Sequence, residues 1–159
     1  MFHGLSVKEY INEHLNDDTD YWYIGMGADY VLTQLYNYSA KDWIELEVDV
    51  RNWDDEALEI LIIVLSHKES FYRETNKISF QRSRVFAQIF DSVDVSLAYD
   101  FLDELWELLE FPNWDIELLY VVLNKLNIIK ESVADDPIQA KAVSKIEEKL
   151  KAKIEAVEK

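Results

Sequence analysis

The chain has 159 residues, 49% hydrophobic and 13% aromatic, enough to bury one core and to exclude disorder along its whole length. Its 32 acidic and 16 basic residues leave a net charge of −16, a field that repels nucleic acid and anionic membrane and steers basic partners in. With only 3 Gly and 2 Pro it lacks the turn residues of a sandwich or barrel, and with no Cys it excludes a disulfide framework, a thiolate metal site and a cysteine nucleophile.

A mostly helical, all-α protein is expected: a compact multi-helix bundle. Met1 to Ser6 shows no basic segment followed by an apolar run, and no stretch approaches a membrane span of about 18 apolar residues. The expected location is the cytoplasm, with no membrane contact. The charge is placed unevenly. Residues 1–66 carry 3 bases and 14 acids, residues 67–90 carry 5 and 2, residues 91–136 carry 2 and 12, and residues 137–159 carry 6 and 4. Two acidic lobes therefore flank a basic connector. Acidity of this kind also keeps a chain soluble, with no partner involved.

In chain order, Ser6 to Glu9 forms a capping-box pattern, and Val7, Tyr10, Ile11 and Leu15 follow at helical spacing. This short helix stops at the acidic loop Asn16 to Asp20, where Asp20 is expected to cap the next helix; the loop lacks the glycine and distal glutamate of a calcium site. The second helix is expected over Tyr21 to Tyr38, with Gly25 and Gly27 explained by close helix packing. Its aromatic residues, among them Tyr21, Trp22, Tyr23, Tyr30, Tyr36 and Tyr38, suit either a core or a protein interface.

Ser39 is expected to cap a helix from Ala40 to about Val48, with Asp42, Glu45 and Asp49 along one side. The stretch Asp54 to His67 then reads as the axis of the fold. Asp54 suits an N-cap, Asp55, Glu56 and Glu59 sit where the helix dipole favours acids, and Leu58 to Leu65 is apolar all round a helix. The β-branched Ile60, Ile62, Ile63 and Val64 also suit a buried strand, but length and acidic start favour the helix. After the connector Lys68 to Lys77, Ser79 is expected to cap a helix to Phe90. Arg82 and Arg84 are read there as ion-pair partners of nearby acids.

Asp94 opens the clearest amphipathic stretch, in which Val95, Ala98, Leu102, Leu105 and Leu109 form the buried stripe. Asp100, Asp103, Glu104, Glu107 and Glu110 occupy the other side without a compensating lysine or arginine. Like charges three or four apart cost roughly 1 kcal/mol in all here, and the last two acids lie where the helix dipole disfavours them. Stability alone does not explain the row, which makes it a hint of function.

Pro112 to Asp115 opens a long helix to about Ser132. Asn113-Trp114-Asp115 repeats Asn52-Trp53-Asp54 at an offset of 61 residues, with Glu56, Leu58 and Leu65 matched by Glu117, Leu119 and Leu126, so two stacked αα-repeat units are expected. Asp136-Pro137 starts the last helix, whose stripe of Val143, Ile146, Leu150, Ile154 and Val157 suits the bundle or a second chain, and whose end is expected to fray. The organisation read from this is an acidic helical domain over 1–136 and a C-terminal helix over 137–159.

No catalytic motif is present. His3, His14 and His67 are scattered, with no metal-binding helix signature, and no phosphate loop, nucleophile elbow or dinucleotide fingerprint occurs, so neither an enzyme nor a cofactor is expected. A strongly acidic, cysteine-free helical chain with aromatic residues beside its acids, and with the paired Asn-Trp-Asp segments, resembles the helical immunity proteins with which bacteria neutralise their own polymorphic or contact-dependent toxins. That resemblance implies an inhibitor of a cognate basic toxin, many of which are nucleases with basic clefts; a mimic of DNA phosphates belongs to the same binding class.

The expected contact residues are Asp42, Glu45, Asp49, Asp55, Glu56 and Glu59, or else the row Asp100 to Glu110, with Trp43 and Trp53 as anchors. Two other readings compete. One is a ligand or metal pocket between the second helix and His14, Asp17, Asp18 and Asp20; the other is a scaffold that dimerises through Val143 to Val157.

Overall fold

The structure, a computed structural model, describes residues 3–17, 21–22, 26–67, 76–111 and 114–159. Among these residues there are nine α-helices and no strand, as the scarcity of turn residues implies. They are α1 (His3–Glu13), α2 (Met26–Tyr36), α3 (Ala40–Asp49), α4 (Asp55–Ser66) and α5 (Asn76–Ser92), then α6 (Val95–Asp100), α7 (Leu102–Leu108), α8 (Ile116–Ser132) and α9 (Pro137–Glu158). A 3₁₀ turn, Val50–Asn52, joins α3 to α4.

The axial helix is α4. It packs against α1, α2, α5 and α7, and Ala57, Leu58, Leu61, Ile62, Val64 and Leu65 are all buried, which is how an apolar surface running round a helix is satisfied. Asp54 holds the N-cap position in extended conformation, but its side chain makes no capping hydrogen bond. On the far side α8 packs against α5, α6 and α9 through Leu119, Val122, Leu126 and Ile129. Of the α9 stripe, Val143, Ile146, Leu150 and Ile154 are buried, with α9 packed on α8 and α7, and Val157 at its end is exposed. Near the end of α9, Tyr120 Oη donates to Glu158 Oε1 at 2.7 Å.

Several caps form as their side chains dictate. Ser39 and Asp42 exchange both hydrogen bonds of a capping box, Asp94 Oδ1 accepts from the amide of Leu97, Asp115 from that of Glu117, and Asp136 from those of Ile138 and Gln139. Two expected starts are corrected. The first helix begins at His3, ahead of Ser6, and α5 begins at Asn76, ahead of Ser79, so both serines lie inside helices. The expected helix from Val95 to Glu110 is divided at Phe101, whose φ of −90° and ψ of 4° leave the helical region for one residue.

Gly27 packs as its sequence context implies. A methyl group there would lie 2.8 Å from Trp22 Cε3, and Trp22 is buried. The expected cap Asp20, together with Tyr23, Gly25 and most of the basic connector, lies outside the described residues. The two Asn-Trp-Asp segments share a buried tryptophan directly before an N-cap aspartate, and α3 packs on α5 as α7 packs on α9. Their side chains are used differently, because the Trp53 indole donates to Asp49 Oδ2 and that of Trp114 to the Leu108 carbonyl.

The basic residues hold the frame. Arg82 is buried and donates to the carbonyls of Leu65 and His67, at 2.9 Å each, at the C-terminal end of α4. These carbonyl bonds give it a role in the frame beyond the ion pairing expected from the sequence. Arg84 is an ion-pair partner, with Nε 3.4 Å from Glu47 Oε2. Lys125, also buried, donates to the carbonyls of Asp91 and Val93 at the end of α5. Lys149 and Lys153 donate to those of Trp106 and Phe111. In each case a cation meets the negative end of a helix or turn, where carbonyls lack intrahelical partners. Burial holds the Lys153 ammonium below its usual range, with the nearby charge of Glu110 opposing that shift and that of Lys149 adding to it.

Candidate partner-binding surface

Three of the expected contact residues belong to the interior. Trp43 is 1% exposed and packs edge-on to Tyr38, and Trp53 is 5% exposed; a tryptophan this enclosed cannot anchor in a partner's pocket. Asp42 is 7% exposed, its carboxylate accepting from the amide of Ser39. These three are therefore corrected from partner contacts to parts of the core and cap. Burial and the nearby Asp42 and Asp49 carboxylates push the Tyr38 phenol far above its usual range, so it stays neutral.

The other residues of the first row reach the surface. Glu45 pairs with Lys41 at 3.7 Å, and Asp49 is half-buried, holding the Trp53 indole. Asp55, Glu56 and Glu59 are exposed in the first turns of α4. In the second row Asp100 and Asp103 are exposed, Glu104 and Glu107 are half-buried, and Glu110 meets Lys149 Nζ at 2.6 Å. The row is thus compensated at its end by a lysine from α9, a pairing invisible in the local sequence.

The fold brings Asp100 of the second row to Asp55, Glu56 and Glu59 of the first. The Glu59 carboxyl is raised above the usual carboxylate range, first by burial, then by the charges of Asp100, Asp55 and Glu56. Asp100, at the end of α6, and the first turns of α4 therefore share one acidic surface. Among the described residues no cation pairs with Asp55, Glu56, Glu59, Asp100 or Asp103.

On α3 lies a feature that periodicity did not single out. Ile44 and Val48 are 60% and 55% exposed, one turn apart on the outer side of α3, and line a shallow groove with Glu45, Asp49 and Asn52. The available signal was their phase. Trp43, Leu46 and Val50 define the buried stripe of α3, and Ile44 and Val48 fall outside it.

The rings of the N-terminal part are packed on one another. Tyr10 stacks on Tyr30 with centroids 4.0 Å apart, its hydroxyl is hydrogen-bonded to that of Tyr21, and His14 Nδ1 meets Asp17 Oδ2 at 2.5 Å. Asp18 and Asp20, the other members of the conceived ion site, lie outside the described residues. Among those described, no group of three or more histidines, aspartates and glutamates is placed to hold a metal ion. No helix among them is long and apolar enough to cross a membrane.

Fold and surface together define an all-α bundle with one acidic, largely unpaired face. Comparison of the chain with protein-family models, with curated proteins and with solved structures gives no match.

Proposed function

We propose that the chain is an acidic protein-binding inhibitor, of the kind bacteria make against their own toxins, which covers the active or substrate-binding site of a basic partner in the cytoplasm. The observation that carries this reading is the shared surface of Asp55, Glu56, Glu59 and Asp100, four exposed carboxylates without a pairing cation among the described residues. Such a surface costs folding energy through like-charge repulsion, which lysines and arginines of a partner relieve. Its field accelerates encounter with a positively charged cleft, so capture is fast and strongly dependent on salt. A nuclease fits because its substrate is a polyanion, and a row of carboxylates competes for the same cations.

The test is affinity capture with the purified chain, using the product of an adjacent gene or a lysate of the native host, washed at low and then high salt. The expected outcome is one basic protein, released by salt, whose activity is blocked while bound. A preparation that retains nothing basic and carries a stoichiometric metal or small molecule would replace this reading with the pocket alternative.

A further inference from the structure

We infer that the groove on α3 seats an amphipathic basic helix of the partner, with apolar side chains resting on Ile44 and Val48 and lysines or arginines reaching the flanking carboxylates. The inference rests on the proposal that the chain captures basic proteins, and adds where and by what chemistry the partner docks. Ile44 and Val48 stand one turn apart, so they present a short apolar strip along the helix, matched by residues spaced three or four apart on another helix. The rim of that strip carries two carboxylates, Glu45, whose pair with the exposed Lys41 is long at 3.7 Å, and Asp49, one of whose oxygens accepts from the Trp53 indole, and Asn52 closes it three residues before Asp55.

Charge decides the occupant. A second copy of a chain with net charge −16 would bring acids against acids, whereas a basic helix is attracted by the rim and buries its apolar side on the strip. Energetically the division is the usual one: a small apolar centre sets the lifetime of the complex, and surrounding charges set its rate of formation.

Two labelled peptides test this by fluorescence anisotropy at low salt: a lysine-rich helix-forming peptide with leucines four residues apart on one face, and the same peptide with those leucines replaced by glutamine. The protein is expected to bind the leucine peptide about tenfold more tightly, the scale of a small buried apolar contact. In the double variant Ile44→Gln, Val48→Gln that preference should fall to about one, while the weaker, salt-sensitive binding of the glutamine peptide is kept. Both replaced residues are exposed, so the melting curve should match that of the parent. Ile128→Gln, at an exposed position on α8, should leave the preference intact.

A preference that survives the double variant would overturn the groove and leave the acidic capture reading standing. Failure of both peptides to bind at low salt would overturn the two together. Self-association in sedimentation that disappears in the double variant would assign the groove to a second copy of the chain and overturn the basic occupant.

Discussion

Replacing Arg82 with methionine would keep much of the side-chain volume and remove the donors that hold the carbonyls of Leu65 and His67. Buried carbonyls left without a partner, in a hydrogen bond to a charged group, cost about 2–3 kcal/mol. The same replacement at Arg84, whose ion pair with Glu47 is partly solvated, should cost under about 1 kcal/mol. Denaturant unfolding of Arg82→Met and Arg84→Met measures both, and equal losses would refute the assignment of Arg82 to the frame. Their difference was not legible in the sequence, where both read as ion-pair partners of nearby acids. The carbonyls that Arg82 holds lie 17 and 15 residues away, and only the docking of α5 on α4 brings them to it. The role of Gly27 was legible, since the two tryptophan and tyrosine rings it accommodates are only a few residues away.

Among the elements, the first turns of α4 carry a testable dependence on pH. Glu59 has its carboxyl raised in the folded state by burial and by Asp100, Asp55 and Glu56. Between its unfolded and folded pKa the native state binds more protons than the unfolded one, so stability falls as pH rises through that window. Ionised Glu59 therefore weakens the fold at neutral pH. Glu59→Gln is expected to raise the melting temperature near pH 7, and the gain should vanish near about pH 4, as the carboxyl becomes protonated in both states. Because the residue is exposed, the gain should stay within about 0.5 kcal/mol. Calorimetry of parent and variant across this range decides it, and a gain that does not change with pH would point to another cause.

The same scale shows which element features a sequence carries. The cap aspartates Asp94, Asp115 and Asp136 were readable because each bonds to amides two or three residues ahead. The break at Phe101 was not, since one residue at ψ 4° barely alters the phase that runs from Ala98 to Leu102 and Leu105. Ser6 and Ser79 misled because serine inside a helix costs only a few tenths of a kcal/mol, so a capping pattern does not force a helix to begin. The two acidic rows were visible in the candidate surface, but their meeting at Glu59 and Asp100 and the outward turn of Ile44 and Val48 are products of packing.

For the whole molecule, 32 acids against 16 bases means that folding gathers like charge into a small volume. Raising ionic strength from about 0.01 to about 0.1 M shortens the screening length from about 30 to about 10 Å and relieves that repulsion. The melting temperature is expected to rise by a few degrees over this range, while association with a basic partner slows. A melting temperature that falls with salt would mean that attractive pairs, such as Lys130 with Glu147 and Lys149 with Glu110, outweigh the repulsion.

With Arg82, Lys125, Lys149 and Lys153 holding backbone carbonyls, the frame depends on its cations, while the unpaired acids lie outside it. Substitutions that move, add or remove an unpaired surface aspartate or glutamate that caps no helix can therefore accumulate without disturbing the bundle. A lineage built on this plan is expected to keep its interior basic residues while its unpaired surface acids vary.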